Sequence, residues 1–366
     1  MALLEAGVRT KKDCMSTIHE VAKHAGVSTA TVSRVLNANP KVDPELRRRV
    51  ETAVKELRYI PNGSARSLVT KQTRQVALLI SDITNPHFAE IARGAQDVLD
   101  ERGYQLVLAN SDDDQGRELR SLRTLAQASA DGLLIAPAMP AGQGTAAHRA
   151  ARRQLASELE HFRIPTVGFS PEPVAVHADL VAIDEERAAF RAVEHLLGLG
   201  HVRVALINGP EHSSVGHLRS LGYRHALKQF GIALDPSITI PSNFRREGGY
   251  EAMKSLLKDK QVPTAVFAAD DLLAIGAVRA IKEAGLRVPK DIAIVCVGNS
   301  VEASEVDPPL SAVSVPRGYE FGRIGAQLLL ERAAQAASSV WVPRRITLDT
   351  RLIVRASTVG SLLPSA

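Results

Sequence analysis

From residue 75 onward, short apolar runs alternate with longer amphipathic stretches, and this alternation restricts the fold more than any other feature of the chain. The runs begin at residues 76, 105, 132, 166, 202, 264 and 292, as in VALLI, GLLIA and IAIVCV. Between them lie helical patterns such as Phe88 to Arg102, Arg187 to Gly198 and Leu272 to Gly285. Strands that alternate with helices predict parallel sheets covered on both faces.

The number of strand and helix units is too large for one sheet of this kind. We therefore expect two similar lobes, and a chain of 366 residues is long enough for two or three domains. In such sheets a ligand binds beyond the carboxyl ends of the strands. The sequence thus predicts a ligand cleft between the lobes.

Positive charge is concentrated at the N-terminal end of the chain. Residues 1–74 hold 14 Lys and Arg against 7 Asp and Glu, whereas the remainder holds 31 against 33. A basic segment on a slightly acidic body favours a polyanionic partner, above all nucleic acid. The alternative is an ordinary solvated surface, since Lys and Arg side chains are usually exposed.

Three short helices are predicted within this basic segment. A capping-box pattern at Thr17 begins the first helix, which ends at Gly26. The second helix runs from 29 to about 36. The third runs from 44 to about 57, with Asp43 as its N-cap. Two short helices joined by a tight turn and followed by a third are typical of a helix-turn-helix domain.

In such a domain the second helix lies in the major groove, with its first residues against the bases. Thr29, Ala30 and Arg34 are predicted on its outer face at the base edges, where the arginine can donate two hydrogen bonds to guanine. Contacts with phosphate, which position the helix, are expected from Ser28, Thr31, Ser33 and Asn37. The alternative is a three-helix cap in which these side chains are merely surface.

The segments TIHEVAKHAGVSTATVSRVLN and VDPELRRRVETAVKELRYIPNGSARSL resemble the lactose-repressor/galactose-repressor (LacI/GalR) family of bacterial transcription regulators. The resemblance continues through NPHFAEIARGAQDVLDERGYQLVLANS and FAADDLLAIGAVRAIKEAGLRVPKDIAIV, and it covers nearly everything from residue 17 to about 357. It implies an α/β protein with an N-terminal helix-turn-helix head and a hinge helix. A periplasmic-binding-protein-like body of two doubly wound parallel-sheet lobes would follow.

The resemblance also implies a division into domains. Residues 1–16 are expected to be a disordered extension, 17–61 the DNA-binding domain, 62–73 the hinge helix and linker, and 74–366 the effector-binding and dimerisation body. Within the body, lobe one is expected at about 74–173 and 316–344, and lobe two at about 174–315 and 345–358.

The segment NGSARSL resembles the hinge helix that family members place in the minor groove. Leu68 matches the leucine that wedges into the central base step, and Arg66 lies beside it. The alternative is that Leu68 packs against the body. Since Gly63 weakens helix propensity, we expect the hinge to be disordered off DNA and to fold on binding.

The resemblance places an effector between the lobes. Arg219 in RSLGY matches an arginine that binds ligand hydroxyls or a carboxylate, and Phe244 matches a ring that stacks on the ligand. Further effector contacts are expected from His87, Phe88, Ser170, Asp270, Asp271 and Asn299. The alternatives are that Phe88 belongs to the core and that Asp271 caps the helix that follows it.

Three positions depart from the family's pattern. IVCVGNS stands where the family usually has Gly-aromatic-Asp-Asp, which implies that Gly298 replaces an aspartate and that Asn299 compensates. Ser170 stands where several members have a second acid, and Asp270 replaces the usual asparagine. These departures weaken the case for a plain hexose as the effector.

Motifs for catalysis are missing from the sequence. It holds no Walker A, G-x-G-x-x-G or G-x-S-x-G motif and no Cys/His cluster with zinc spacing, so no enzymatic activity, cofactor or metal is expected. The run Asp112 to Asp114 is interpreted as a helix cap rather than a cation site.

Cysteine content and hydropathy indicate in which cellular compartment the protein is expected. Two cysteines fit a reducing cytoplasm, and no apolar run approaches the roughly 20 residues of a membrane helix. The first 15 residues have no apolar core of the kind a signal peptide needs.

These observations predict a cytoplasmic, sequence-specific DNA-binding transcription regulator. We expect a repressor whose operator affinity depends on a small-molecule effector, a sugar or related metabolite. The expected partners are a near-palindromic double-stranded operator and a second copy of the chain. A homodimer is favoured over a tetramer because the C-terminus has no heptad repeat. The alternatives are an activator or dual regulator with the same DNA-binding parts, and a solute-binding protein, against which the basic head argues.

Overall fold

The computed structural model describes residues 16–36, 39–59, 72–138, 146–210, 213–334 and 342–359. The chain divides into two compact units, residues 1–73 and residues 74–366. Asn37, the segment predicted to be an extension up to residue 15, and most of the predicted hinge, with Arg66 and Leu68, lie outside the described residues.

The N-terminal unit contains the three predicted helices, α1 (Ile18–Ala25), α2 (Thr29–Leu36) and α3 (Pro44–Glu56). Their facing sides are apolar, and Val21, Val32 and Val50 are fully buried at the centre. A small core of this kind fixes the angles between the helices because each one buries a single stripe.

Local hydrogen bonds set the ends of these helices. The Thr17 backbone N–H donates to Glu20 Oε2 at 2.6 Å, and the Glu20 N–H donates to Thr17 Oγ1 at 3.3 Å, which confirms the capping box. Gly26 ends α1 at a φ of 61°, in the left-handed region that glycine adopts most readily. Asp43 Oδ1 accepts from the N–H groups of the next turn and caps α3 as predicted.

Lobe one of the body is built on a six-stranded parallel sheet in the order β11-β5-β4-β3-β1-β2. Its strands are β1 (Gln75–Ile80), β2 (Gln105–Asn110), β3 (Gly132–Ile135), β4 (Thr166–Gly168), β5 (Asp179–Ile183) and β11 (Arg345–Leu348). Its helices are α4 (Pro86–Glu101), α5 (Gln115–Gln127), α6 (Ala146–Phe162) and α12 (Gly318–Ala334).

Lobe two repeats this architecture with the order β12-β10-β9-β8-β6-β7, in which β12 alone runs antiparallel to its neighbour. Its strands are β6 (Val204–Ile207), β7 (Thr239–Ile240), β8 (Ala265–Ala268), β9 (Ala293–Val297), β10 (Ser311–Ser314) and β12 (Arg351–Ile353). Its helices are α7 (Glu185–Gly198), α8 (Ser214–Gln229), α9 (Arg246–Leu256), α10 (Asp271–Glu283), and the short α11 (Val301–Glu305) and α13 (Ala356–Val359).

Two of the expected lobe boundaries are wrong. Strand β5, assigned to lobe two by the boundary at 174, pairs with β4 in the sheet of lobe one. The last apolar stretch, ITLDTRLIV, is predicted above to belong wholly to lobe two. It contains two strands, of which β11 pairs in parallel with β5 and only β12 joins lobe two. An apolar run shows that a strand is buried but not which sheet buries it, because its hydrogen-bond partners lie far away in the chain.

The apolar runs of the sequence are the centres of both lobes. Leu78 and Ile135 are fully buried in lobe one, as are Phe267 and Val295 in lobe two. Among the described residues, every helix is too short or too polar to cross a bilayer.

Candidate functional site

Helix α2 presents a polar outer face. Ala30 and Arg34 are exposed and Thr29 is half-buried, while Val32 and Val35 are buried on the opposite side. Within the described part of the chain the Arg34 side chain has no hydrogen-bond or ion-pair partner, so its guanidinium is available to a ligand. The structure thus places these three side chains on the surface that the helix-turn-helix interpretation requires.

The start of α2 is fixed by Ser28. Its Oγ accepts a hydrogen bond from the Thr31 N–H at 3.2 Å, and the two hydroxyl oxygens lie 3.0 Å apart. Arg49 on α3, a residue that the sequence did not single out, donates to the carbonyls of Ala25 and Gly26 and so holds the turn between α1 and α2. Both interactions pre-form the helix that would enter the groove.

A cavity of about 780 Å³ lies between the two lobes of the body. This size is within the usual range for small-molecule sites. The cavity lies at the carboxyl ends of the strands of both sheets, the position predicted from the strand and helix pattern. All eight predicted effector residues line it: His87, Phe88, Ser170, Arg219, Phe244, Asp270, Asp271 and Asn299.

The wall formed by lobe one is aromatic. The His87 ring lies 5.7 Å from the Phe88 ring and 5.3 Å from the Phe321 ring, in both cases edge to face. Phe169 lies 6.4 Å from Phe321 and also lines the cavity. Burial lowers the pKa of His87, so its imidazole is neutral at physiological pH. Phe169 and Phe321 were not predicted as cavity residues, although Phe169 is the last residue of the predicted strand that begins at 166.

Arg219 lines the cavity on the lobe two side, and its guanidinium is already bonded to groups of the protein. Its Nε and Nη2 contact Glu185 Oε2 at 2.8 and 2.7 Å, and its Nη1 donates to the Ala269 carbonyl. Arg219 is 8% exposed and Glu185 is 9% exposed. Glu185 was missed because it lies 34 positions earlier in the sequence, in the first turn of α7.

The two neighbouring aspartates differ in their surroundings. Asp270, rather than Asp271, caps α10, since its Oδ1 accepts from the Leu272 N–H at 2.9 Å. Asp271 Oδ2 accepts from the Ser300 N–H at 2.8 Å. Burial and the nearby Asp271 carboxylate raise the pKa of Asp270 to about 8, against the opposing charge of Arg219. Near neutral pH Asp270 therefore carries a proton and can donate a hydrogen bond.

Phe244 is a backbone outlier on the lobe two side. Its φ of 56° is uncommon for a bulky residue, and such outliers often occur at functional sites. The ring occupies the space that a side chain at Gly209 would need. Asn299 accepts a hydrogen bond from Arg355 at 2.7 Å, and buried Ser170 accepts one from the Glu172 N–H at 3.3 Å.

The backbone and packing at Gly298, which the resemblance sets in place of an aspartate, favour glycine in this chain. Gly298 has a φ of 129°, and a Cβ there would lie 2.9 Å from the Asp271 Cγ. An aspartate cannot occupy this backbone position without displacing Asp271. Glycine at 298 is therefore required by the packing around Asp271.

A helix-turn-helix head in one chain with a two-lobed cleft defines a DNA-binding regulator with a ligand-binding body. Two family models support this. Residues 17–62 match the model described as bacterial regulatory proteins of the lacI family, and residues 193–358 match a periplasmic binding protein-like domain. The chain belongs to the LacI family of transcription regulators, which confirms the predicted class and fold.

Relatives and solved structures agree with this membership. The ribose operon repressor of Escherichia coli strain K12 is 36% identical over 321 residues, which covers 88% of this chain and 94% of that protein. A lac repressor dimer bound to operator and the anti-inducer ONPF has 27% identity and a TM-score of 0.78 over 94% of this chain and all of that one. A complex of the transcriptional regulator CelR with cellobiose has 33% identity and a TM-score of 0.67, with 93% and 99% covered.

Proposed function

We propose that this protein is a cytoplasmic transcriptional repressor that acts as a homodimer on a near-palindromic operator and is controlled by a sugar-like effector. The observation that carries this proposal is that a helix-turn-helix with an exposed Arg34 occurs in the same chain as a cavity of about 780 Å³. All eight predicted effector residues line that cavity. The lac repressor and CelR complexes, which hold operator, anti-inducer and cellobiose, support the same kinds of partner.

On the DNA side, we assign base contacts to Thr29, Ala30 and Arg34. Phosphate contacts are assigned to Ser28, Thr31 and Ser33, with Asn37 as predicted from the sequence. Two-fold symmetry of the dimer would match two operator half-sites about one helical turn or a multiple of it apart. Arg66 and Leu68 in the hinge are assigned to the minor groove on the family resemblance.

On the effector side, the cavity combines rings with hydrogen-bonding groups. The rings of Phe88 and Phe244 can pack on the apolar face of a sugar, while Asp271 accepts from its hydroxyls. Effector binding changes DNA affinity only if the effector binds the two arrangements of the lobes unequally. We therefore propose that lobe closure transmits effector binding to the head.

The test is fluorescence anisotropy of the full chain on DNA from upstream of its own gene, with and without a panel of sugars. Tight, salt-sensitive binding that a sugar weakens is the expected result, because phosphate contacts release counterions. Binding that a sugar strengthens would make that sugar a co-repressor. No binding to the upstream DNA at low salt would contradict the proposal.

A further inference from the structure

The pairing of Arg219 with Glu185 has a consequence for which ligands the cleft accepts. Arg219 is the most buried of the three arginines that line the cavity and is 8% exposed. Two of its three nitrogens contact the Glu185 carboxylate at 2.8 and 2.7 Å, and the third donates to a backbone carbonyl. Its positive charge is therefore cancelled inside the protein before any ligand arrives.

The other arginines on the wall are engaged as well. Arg317 donates to Glu90, with Nε at 3.1 Å, and Arg355 donates to the Leu310 carbonyl at 2.6 Å and to Asn299 at 2.7 Å. The carboxyl groups of the wall outnumber these three arginines. They are Asp82, Glu90, Asp113, Glu185, Asp270, Asp271, Glu302 and Glu305. Asp270 carries a proton near neutral pH, and Asp82 and Glu302 contact Arg245 and Arg246 from outside the wall. Within the described part of the chain, the wall therefore presents no surplus of positive charge to a ligand.

We propose that Glu185 is a specificity-determining residue, which neutralises Arg219 so that the cleft accepts uncharged, hydroxyl-rich effectors and excludes carboxylates and phosphates. This inference rests on the proposed function, since it concerns the same effector cleft. It also narrows the set of expected ligands, because the family resemblance alone implies that Arg219 binds either hydroxyls or a carboxylate.

The physical reason is the position of Glu185. An anionic ligand that displaced Glu185 from Arg219 would leave Glu185, which is 9% exposed, as a buried carboxylate without its partner. An anionic ligand that bound beside the intact pair would meet a neutralised cation and be repelled by the Glu185 carboxylate. A hydroxyl needs no such exchange, because it can accept from the remaining guanidinium N–H groups while the ion pair stays intact.

The test compares Glu185→Gln with Glu186→Gln. Glu186 is the neighbouring acid, contacts His225 at 2.7 Å and is not part of the cavity wall. Inorganic phosphate is titrated calorimetrically into the full-length protein and each variant, against chloride at equal ionic strength. We expect Glu185→Gln to bind phosphate at least tenfold more tightly than the wild type, and Glu186→Gln to match the wild type. The double variant with Arg219→Gln should lose the gain.

A second measurement uses the wild type alone, with ribose against ribose 5-phosphate and glucose against gluconate. A phosphate affinity of Glu185→Gln equal to that of the wild type would overturn the proposal, as would a wild type that prefers either acid over its neutral counterpart. Operator binding is measured by anisotropy on the same samples. If the wild type does not bind operator DNA, the proposed function is contradicted. The anion titrations, by contrast, test only the role of Glu185.

Discussion

Asp270 and Asp271 are adjacent in the chain, yet their carboxyl groups have different chemistry. Burial and the charge of Asp271 raise the pKa of Asp270 to about 8, so Asp270 carries a proton at neutral pH. A protonated carboxyl, like an amide, can both donate and accept hydrogen bonds. This explains how Asp270 can stand where the family resemblance implies an asparagine.

We predict that Asp270→Asn makes thermal stability less dependent on pH. Because the folded-state pKa is about 8 and the ordinary value is 3.8, the unfolded chain loses its proton first as pH rises. The wild type therefore loses stability as the pH rises from about 4 to 8, and the asparagine variant does not. Melting temperatures from pH 5 to 9 measure this, with the exposed Asp349→Asn as the control. Parallel curves for the wild type and Asp270→Asn would contradict the shifted pKa.

Arg34 is the side chain with the clearest predicted role on DNA. Arg34→Ala should weaken operator binding by about 1–3 kcal/mol and relax the preference at one base pair per half-site, because a bidentate contact with guanine is lost. A selection from randomised sites measures the preference. The exposed Lys23→Ala on α1 should leave it intact. An unchanged preference in Arg34→Ala would refute this assignment.

Pairs of helices in both lobes pack backbone against backbone through glycines. A Cβ at Gly276 on α10 would collide with the Arg246 carbonyl at the start of α9, and one at Gly249 on α9 would collide with the Leu273 carbonyl. Gly94 on α4 and Gly322 on α12 have the same relation in lobe one. These contacts fix the distance between the helices that flank each sheet near the cleft.

Gly276→Ala is therefore predicted to destabilise the body by about 1–3 kcal/mol, since the added methyl group meets rigid backbone. Gly198→Ala is the matched control, because no atom lies within 4 Å of the position that its Cβ would take and its φ is not in the left-handed region. That variant should be neutral or up to about 1 kcal/mol more stable. Urea unfolding of both variants measures the difference, and equal stabilities would contradict the packing argument.

At the scale of the whole body, an arginine of lobe two bridges to two acids of lobe one, of which Asp82 lines the cavity. Arg245, which precedes α9 in lobe two, contacts Asp82 at 3.0 Å and Asp112 at 3.2 Å, and both acids follow strands of lobe one. Asp82 is 8% exposed, so this pair is less screened than a typical surface ion pair. The contact exists only while the lobes are close together.

Arg245→Ala is expected to shift the lobes toward an open arrangement. A loss of about 1 kcal/mol after solvent screening corresponds to roughly a fivefold change in the open–closed equilibrium and in effector affinity. Small-angle scattering of the full-length protein should show a larger radius of gyration. Arg246→Ala is the control, since its partner Glu302, at 3.6 Å, lies in the same lobe. Identical scattering for the two variants would contradict the closing role of Arg245.

Features that depend on neighbours in the chain were predictable from the sequence. The helix ends at Thr17, Gly26 and Asp43 depend on partners within a few residues, and the structure confirms each of them. The apolar runs likewise marked strands of both sheets, because burial imposes a pattern on each strand separately. The identities of the cleft residues came from the family resemblance and from their places after strands.

Features that depend on distant partners emerged only from the fold. Glu185 reaches Arg219 across 34 residues, and β5 pairs with β11, which lies near the opposite end of the body in the chain. Neither pattern nor composition encodes such a partner, because a buried carboxylate or an apolar strand has many candidates along the chain until the packing selects one. The class of protein was thus readable from local patterns and family motifs, whereas the charge balance of the cleft was decided by which side chains the two lobes bring together.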